Sequence, residues 1–141
     1  MSRYISPGGK ISMRILLVDQ DVQVLALVFT LLEHYGHDVR TAISCKEALS
    51  ITGELRPQVV ITGIALLASS GFELAKELRQ RTDCPDTFIV ALTGQETLMP
   101  STSWAAAGFN RVLRRPANID DIVGVLDDVS AGRKSSLFVD R

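Results

Sequence analysis

The sequence is poor in residues that carry specialised chemistry. It has two cysteines in 141 residues, Cys45 and Cys84, too few for a disulfide framework and without metal-ligand spacing. Nothing marks either thiol as activated, and both are read as inert. An excess of one charge is lacking too: 15 Lys and Arg against 16 Asp and Glu leave a net charge of −1, with a pI near 6.1. That balance removes the electrostatic case for nucleic acid or an anionic membrane as partner. Long hydrophobic runs are missing as well. The longest, Val59 to Ala68, is interrupted by Thr62 and Gly63 and is far short of a membrane span. Residues 1–12 contain Ser6-Pro7-Gly8-Gly9-Lys10 and no apolar signal-peptide core. The expectation is a soluble, cytoplasmic chain of single-domain size, with enough hydrophobic residues (46%) to exclude disorder throughout.

What is present is an alternation of short apolar runs with helical periodicity, five times over. Ile15-Leu16-Leu17-Val18 is continuously aliphatic, as a strand covered on both faces must be. Val22, Leu25, Val28, Phe29, Leu32 and Tyr35 follow at helical spacing, closed by Gly36. A second, more polar strand over Asp38–Ala42 is placed at a sheet edge. Ser44 and Glu47 form a capping box for a helix from Cys45 to about Thr52, ended by Gly53. Gln58–Thr62 is a third strand, and Ser70 with Glu73 opens a helix that buries Phe72, Leu74, Ala75 and Leu78. The fourth strand is Thr87–Leu92. A weaker helix over Thr97–Ala107 is stopped by Gly108. Arg111–Leu113 is the fifth strand, and Asn118 caps a last helix with Ile119, Ile122, Val123, Leu126 and Val129 inward. The pattern predicts an α/β fold, a doubly wound five-stranded parallel sheet in order 2-1-3-4-5, flavodoxin-like, with two helices on one face and three on the other. Residues 13–131 form the domain, and 1–12 and 132–141 read as tails.

In such a sheet, chemistry sits beyond the carboxyl ends of the strands. The residues reaching that rim are Asp19, Gln20 and Asp21, then Gly63, then Thr93 and Gly94, then Arg114 and Arg115. This polar convergence resembles the receiver domain of two-component response regulators over residues 13 to about 130. The likeness rests on Ile15-Leu-Leu-Val-Asp-Gln-Asp21, Pro57-Gln-Val-Val-Ile-Thr-Gly63 through Gly71-Phe-Glu-Leu74, Ala91-Leu-Thr-Gly94, and Gly108-Phe-Asn-Arg-Val-Leu-Arg-Arg-Pro116. The resemblance implies a phosphoacceptor Asp ending the third strand, an acidic pair holding Mg²⁺, and a Thr and a Lys contacting the phosphoryl group. Asp19 and Thr93 match their positions. Gln20 stands for the second acid, Gly63 for the acceptor, Arg115 for the Lys, and Val112 where an aromatic switch residue often sits. Leu67-Ala68 replaces the usual Pro-Gly loop. The expectation is a degenerate receiver, or pseudo-receiver, with Mg²⁺ binding lost or weak and no cofactor.

Each position has a plainer reading beside it. Asp19 or Gln20 also suits the cap region of the first helix, and Thr93 an ordinary turn. His34 and His37 flank Gly36 and read as solvated turn histidines. Thr62, Ser69 and Ser70 lie near Gly63, but strand periodicity turns Thr62 away and Ser70 is a helix cap. Trp104 either anchors a partner on the face of the fourth helix or packs into the core.

The function expected is a phosphorylation-independent, non-enzymatic signalling module that binds a histidine kinase, another receiver or an output protein, with a homodimer also open. Trp104 and Val112 are the partner-binding candidates, and Thr93 and Val112 the switch positions. Because the chain ends soon after the domain, no output domain of its own is expected. The alternatives are a small anion or nucleotide sensor in the vacated pocket, and phosphotransfer through an unexpected acceptor. Two geometric expectations follow from the rim. The Arg115–Pro116 peptide is cis, as the family's Lys-Pro bond commonly is. Arg115 lies over Gly63 and pairs with Asp19, because a carboxylate deprived of its cation needs another.

Overall fold

The computed structural model describes residues 12–94 and 100–132. The two tails and the start of the expected fourth helix therefore fall largely outside the described residues. The elements run β1 (Arg14–Val18), α1 (Val22–His34), β2 (Asp38–Ala42), α2 (Cys45–Leu55) and β3 (Val59–Gly63). They continue with β4 (Ala65–Leu66), β5 (Ser69–Ser70), α3 (Gly71–Gln80), β6 (Phe88–Thr93), α4 (Ser101–Ala106), β7 (Arg111–Arg114) and α5 (Ile119–Ser130). The main sheet is parallel throughout, in the order β2-β1-β3-β6-β7. Counting only its members, that is 2-1-3-4-5, with the polar strand β2 at the edge.

Continuous aliphatic strands follow from burial on both faces. Alternate residues of one strand serve different cores: Leu16 and Val18 join the cluster beneath α2, α3 and α4, while Ile15 and Leu17 join the one beneath α1 and α5. Helices thus lie three on one face and two on the other. Among the described residues no helix is long and apolar enough to cross a membrane.

Helix ends follow the local chemistry, with two corrections. The first helix is capped by Asp21, whose Oδ1 accepts the backbone N–H groups of Gln23 and Val24 at 3.0 and 3.3 Å. Asp19 and Gln20 are therefore not the cap. Helix α2 runs through Gly53 to Leu55, because Arg56 takes the left-handed cap conformation (φ 49°) that the glycine was expected to supply. Ser44, Ser70 and Asn118 cap as expected, and Asn118 completes a reciprocal box with Asp121. The two-residue hairpin β4–β5 was not expected. Strands this short carry no periodicity, and the turn between them uses a left-handed Ala68 (φ 55°) rather than glycine.

Trp104 is the larger correction. It is 1% exposed, stacked on Phe72 with ring centroids 5.5 Å apart and edge-on to Phe109 at 5.4 Å. The small residues around it on α4 do not leave the ring exposed; they let it sink between α3 and the sheet. Val112, in the middle of β7, is fully buried. Neither side chain can meet a partner directly. Trp104→Ala is expected to lower stability by about 3–5 kcal/mol through the cavity it leaves, measured by chemical denaturation. A change below about 1 kcal/mol would mean that the ring is not a core residue.

Candidate functional site

Strand register brings the rim residues together. Val18 pairs with Thr62 and Gly63 with Leu92, so Asp19 and Thr93 emerge one step beyond, on either side of Gly63. Thr93 in turn pairs with Arg114, which carries Arg115 past the end of β7. The Arg115 backbone N–H donates to the Thr93 carbonyl at 2.8 Å and holds that turn against β6. The Arg115–Pro116 peptide is cis, as expected.

The centre of the rim is an ion pair. Arg115 donates from Nη2 to Oδ2 of Asp19. The other carboxylate oxygen, Oδ1, accepts the Asp21 backbone N–H at 3.0 Å. The Asp19 side chain is only 6% exposed, whereas that of Arg115 is 33% exposed. Gly63 lies beneath the pair. A Cβ at that position would come within 2.8 Å of Asp19 Oδ2 and 3.0 Å of Arg115 Nη2. The guanidinium thus crosses over β3 through space that only a residue without a side chain leaves open. Behind it, the Gly63 carbonyl packs against α3 so closely that a Cβ on Gly71 would lie 2.3 Å away, and the Gly71 N–H donates to Ile64 O at 2.7 Å.

The remaining candidates divide. Gln20 is exposed. Thr93 is 2% exposed, and its hydroxyl turns to the Gly94 carbonyl at 3.3 Å. The nearby hydroxyls are engaged: Thr62 donates to Gly63 O, Ser70 accepts from the Glu73 N–H, and Ser69 bridges the Cys45 N–H to Leu67 O. His37 is not simply solvated, since its Nδ1 accepts the Met13 N–H at 3.1 Å and fixes the start of β1. Cys45 is buried; desolvation first, then the charges of Glu73 and Glu77, push its thiol above the ordinary range. Sequence reasoning missed Gly71, whose role is visible only once β3 and α3 are placed against each other.

The chain matches the response regulator receiver domain over residues 15–127. It belongs to that family, and is a receiver module of two-component signalling. An uncharacterized 14.6 kDa protein in the sodA1 3′ region of Leptolyngbya boryana is 30% identical over 106 residues, which cover 75% of this chain and 81% of that one. Among solved structures, the chemotaxis response regulator CheY4 of Vibrio cholerae superposes with a TM-score of 0.76 at 26% identity, covering 84% of this chain and 98% of that one. A response regulator receiver domain protein from Clostridium thermocellum gives 0.76 at 29% identity, covering 85% and 95%. The chain spans only a third to a half of several regulators that it matches. It covers 33% of the probable transcriptional regulator ycf27 of Porphyridium aerugineum and 46% of RpaA, a DNA-binding dual master transcriptional regulator of Synechocystis.

The unequal burial of the pair predicts unequal mutants. Arg115→Ala strands a carboxylate that water barely reaches and is expected to cost about 3 kcal/mol. Asp19→Asn leaves a cation that can turn to solvent and keeps an acceptor for the Asp21 N–H, so about 1–2 kcal/mol is expected. Urea denaturation of both variants checks the order, and equal or reversed losses would refute it. The raised Cys45 thiol has a second consequence. Its folded-state pKa exceeds the unfolded one, so its contribution to stability is complete below the ordinary thiol pKa and is lost as pH rises through the folded value. Relative to parent, Cys45→Ala should therefore lose less stability on alkaline titration.

Proposed function

We propose that this receiver works without an aspartyl phosphate, as a non-enzymatic protein-recognition module whose rim is held in one arrangement. The observation that carries the reading is the Arg115 guanidinium lying over Gly63 and bonded to Asp19. Glycine has no nucleophilic atom, so position 63 cannot accept a phosphoryl group. The neighbouring hydroxyls that could substitute are tied into caps and turns. A hard dication needs several oxygen ligands, usually more than one of them a carboxylate. Here both oxygens of the single buried rim carboxylate already accept hydrogen bonds, and the nearest acid in the chain, Asp21, turns its Oδ1 to cap α1. The residues present do not fit Mg²⁺, and the proposed mechanism has no metal-dependent step.

The mechanism is mechanical. In place of a cation that comes and goes with phosphorylation, Arg115 is a tethered one that stays charged at any ordinary pH. It joins the loop after β1 to the loop after β7, across β3. Thr93, the switch position, is buried against the same turn. A module so fixed suits recognition by a kinase, another receiver or an output protein whose affinity does not depend on phosphoryl transfer. The rival reading as an anion or nucleotide sensor requires Arg115 to leave Asp19 for the ligand.

Incubation with acetyl phosphate and millimolar Mg²⁺, followed by intact-mass spectrometry, tests the central point. No phosphoryl adduct is expected, and a stable adduct on any rim residue overturns the reading. Thermal-shift titration with inorganic phosphate, nucleotides and Mg²⁺ is expected to leave Tm unchanged. A saturable rise with phosphate or a nucleotide would favour the sensor instead.

A further inference from the structure

We infer that a cavity at the foot of the sheet, where the strands begin, is the docking site of the chain's own carboxyl-terminal segment, with Leu137-Phe138-Val139 seated in it. The cavity measures about 270 Å³, and its wall includes Arg14, Arg56, Pro57, Cys84, Asp86 and Val129. These residues stand at or just before the starts of β1, β3 and β6 and in the last turn of α5. Pro57, Cys84 and Val129 give the wall apolar surface, and its charges are largely unpaired. Arg14 donates from Nε to the carbonyls of Leu55 and Arg56 at 3.1 and 3.0 Å. That fixes its guanidinium and leaves both Nη groups without a partner among the described residues. The side chains of Arg56 and Asp86, both on exposed residues, make no ion pair or hydrogen bond among the described residues.

The chain supplies an occupant of matching chemistry. Residues 133–141, Arg-Lys-Ser-Ser-Leu-Phe-Val-Asp-Arg, lie outside the described residues and carry three large apolar side chains between a basic pair and Asp140. The last turn of α5 is held at the foot of β7 and β6, because Asp128 pairs with Arg111, whose guanidinium lies over Phe88. The segment therefore leaves Gly132 on the β6 side of the cavity, three residues after Val129 of its wall. With the strands in the order β1-β3-β6-β7, it meets Asp86 first, then Cys84 and Pro57, then Arg14 and Arg56. Its own residues come in complementary order: Arg133 and Lys134, the apolar run, then Asp140. The six residues from Gly132 to Phe138 span up to about 20 Å, more than the width of three adjacent strands at about 4.8 Å spacing. Tethering supplies an effective concentration near millimolar, so a weak intrinsic affinity fills the site. The competing occupant is the amino-terminal segment, which enters at β1. Residues 1–11 contain Arg3 and Lys10 and no acid, and would bring cations to Arg14 and Arg56. The site lies at the opposite end of the strands from the Asp19–Arg115 pair and is independent of whether the rim accepts a phosphoryl group.

Cys84, 8% exposed, reports occupancy from within the cavity wall. In the full chain, Val139→Cys is expected to form an intramolecular disulfide with Cys84 on oxidation with copper phenanthroline, because docking brings the two positions within bonding reach. Peptide mass spectrometry maps the link. Ile5→Cys, the same probe in the amino-terminal segment, is expected not to link to Cys84. Modification of Cys84 by a maleimide should be about fivefold faster in Phe138→Asp than in the parent, as a tethered segment is released from a site it mostly occupies. The rate at Cys45 should not change. Circular dichroism establishes that each variant is folded; if Phe138→Asp is not, Phe138→Ser takes its place with the same expected gain. The inference is overturned if Val139→Cys forms no link to Cys84, or if Cys84 reacts equally fast in the parent and the Phe138 variant. A link from Ile5→Cys alone would assign the cavity to the amino-terminal segment, and a link only between molecules would assign it to a second copy; either result overturns the inference as well.

Discussion

Everything in this molecule is organised by a parallel sheet that is buried on both faces. Such a sheet leaves its inner strands apolar except for Arg14 at one amino end and Thr62 and Thr93 near the carboxyl ends, so chemistry is forced to the ends, where strands turn into loops. There the register decides which side chains meet. Asp19 follows Val18, which pairs with Thr62, and Gly63 follows Thr62. The consequence is a carboxylate that cannot escape to water, on a strand that cannot shift without disturbing two cores. A cation has to come to it. Arg115 does, from three strands away, and ties the loop after β1 to the loop after β7.

The order of elements was legible because the two periodicities alternate cleanly. Aliphatic runs such as Phe88–Leu92 have no polar residue to misplace them, and Ser44, Ser70 and Asn118 announce helix starts with their own side chains. The ion pair was legible for a different reason: it follows from a charge that must be compensated, together with a chain long enough to do it. What escaped was whatever depends on the relation between distant segments. Trp104 sits in a run of alanines that is equally consistent with a surface anchor and with a ring dropping onto Phe72 and Phe109. Gly53 looks like a helix stop until Arg56 is found in the left-handed cap. Gly71 has no local signature at all, since what requires it is the carbonyl of Gly63 on another element.

The two faces of the sheet are fastened differently at the far end of the fold. Arg79 reaches from α3 to the carbonyls of Thr87 and Gly108, binding the loops before β6 and β7. On the other face Arg111 lies over the Phe88 ring, 5.6 Å from its centroid, and pairs with Asp128 of α5 at 2.8 Å. With Arg115 at the rim, three arginines therefore span the joints around β6 and β7, the strands farthest from α1. The half of the molecule around these strands is stiffened by polar clamps.

The crowding around Gly63 bears on how such a site can change over time. A side chain introduced at position 63 would press on a carboxylate and a guanidinium that are bonded to each other, and the carboxylate is walled in by the sheet. Any side chain placed there must first displace the guanidinium, whose far end is a third exposed and can swing toward solvent, and so it disturbs the pair with Asp19. The two positions are therefore coupled: what can stand at 63 depends on where the side chain at 115 lies.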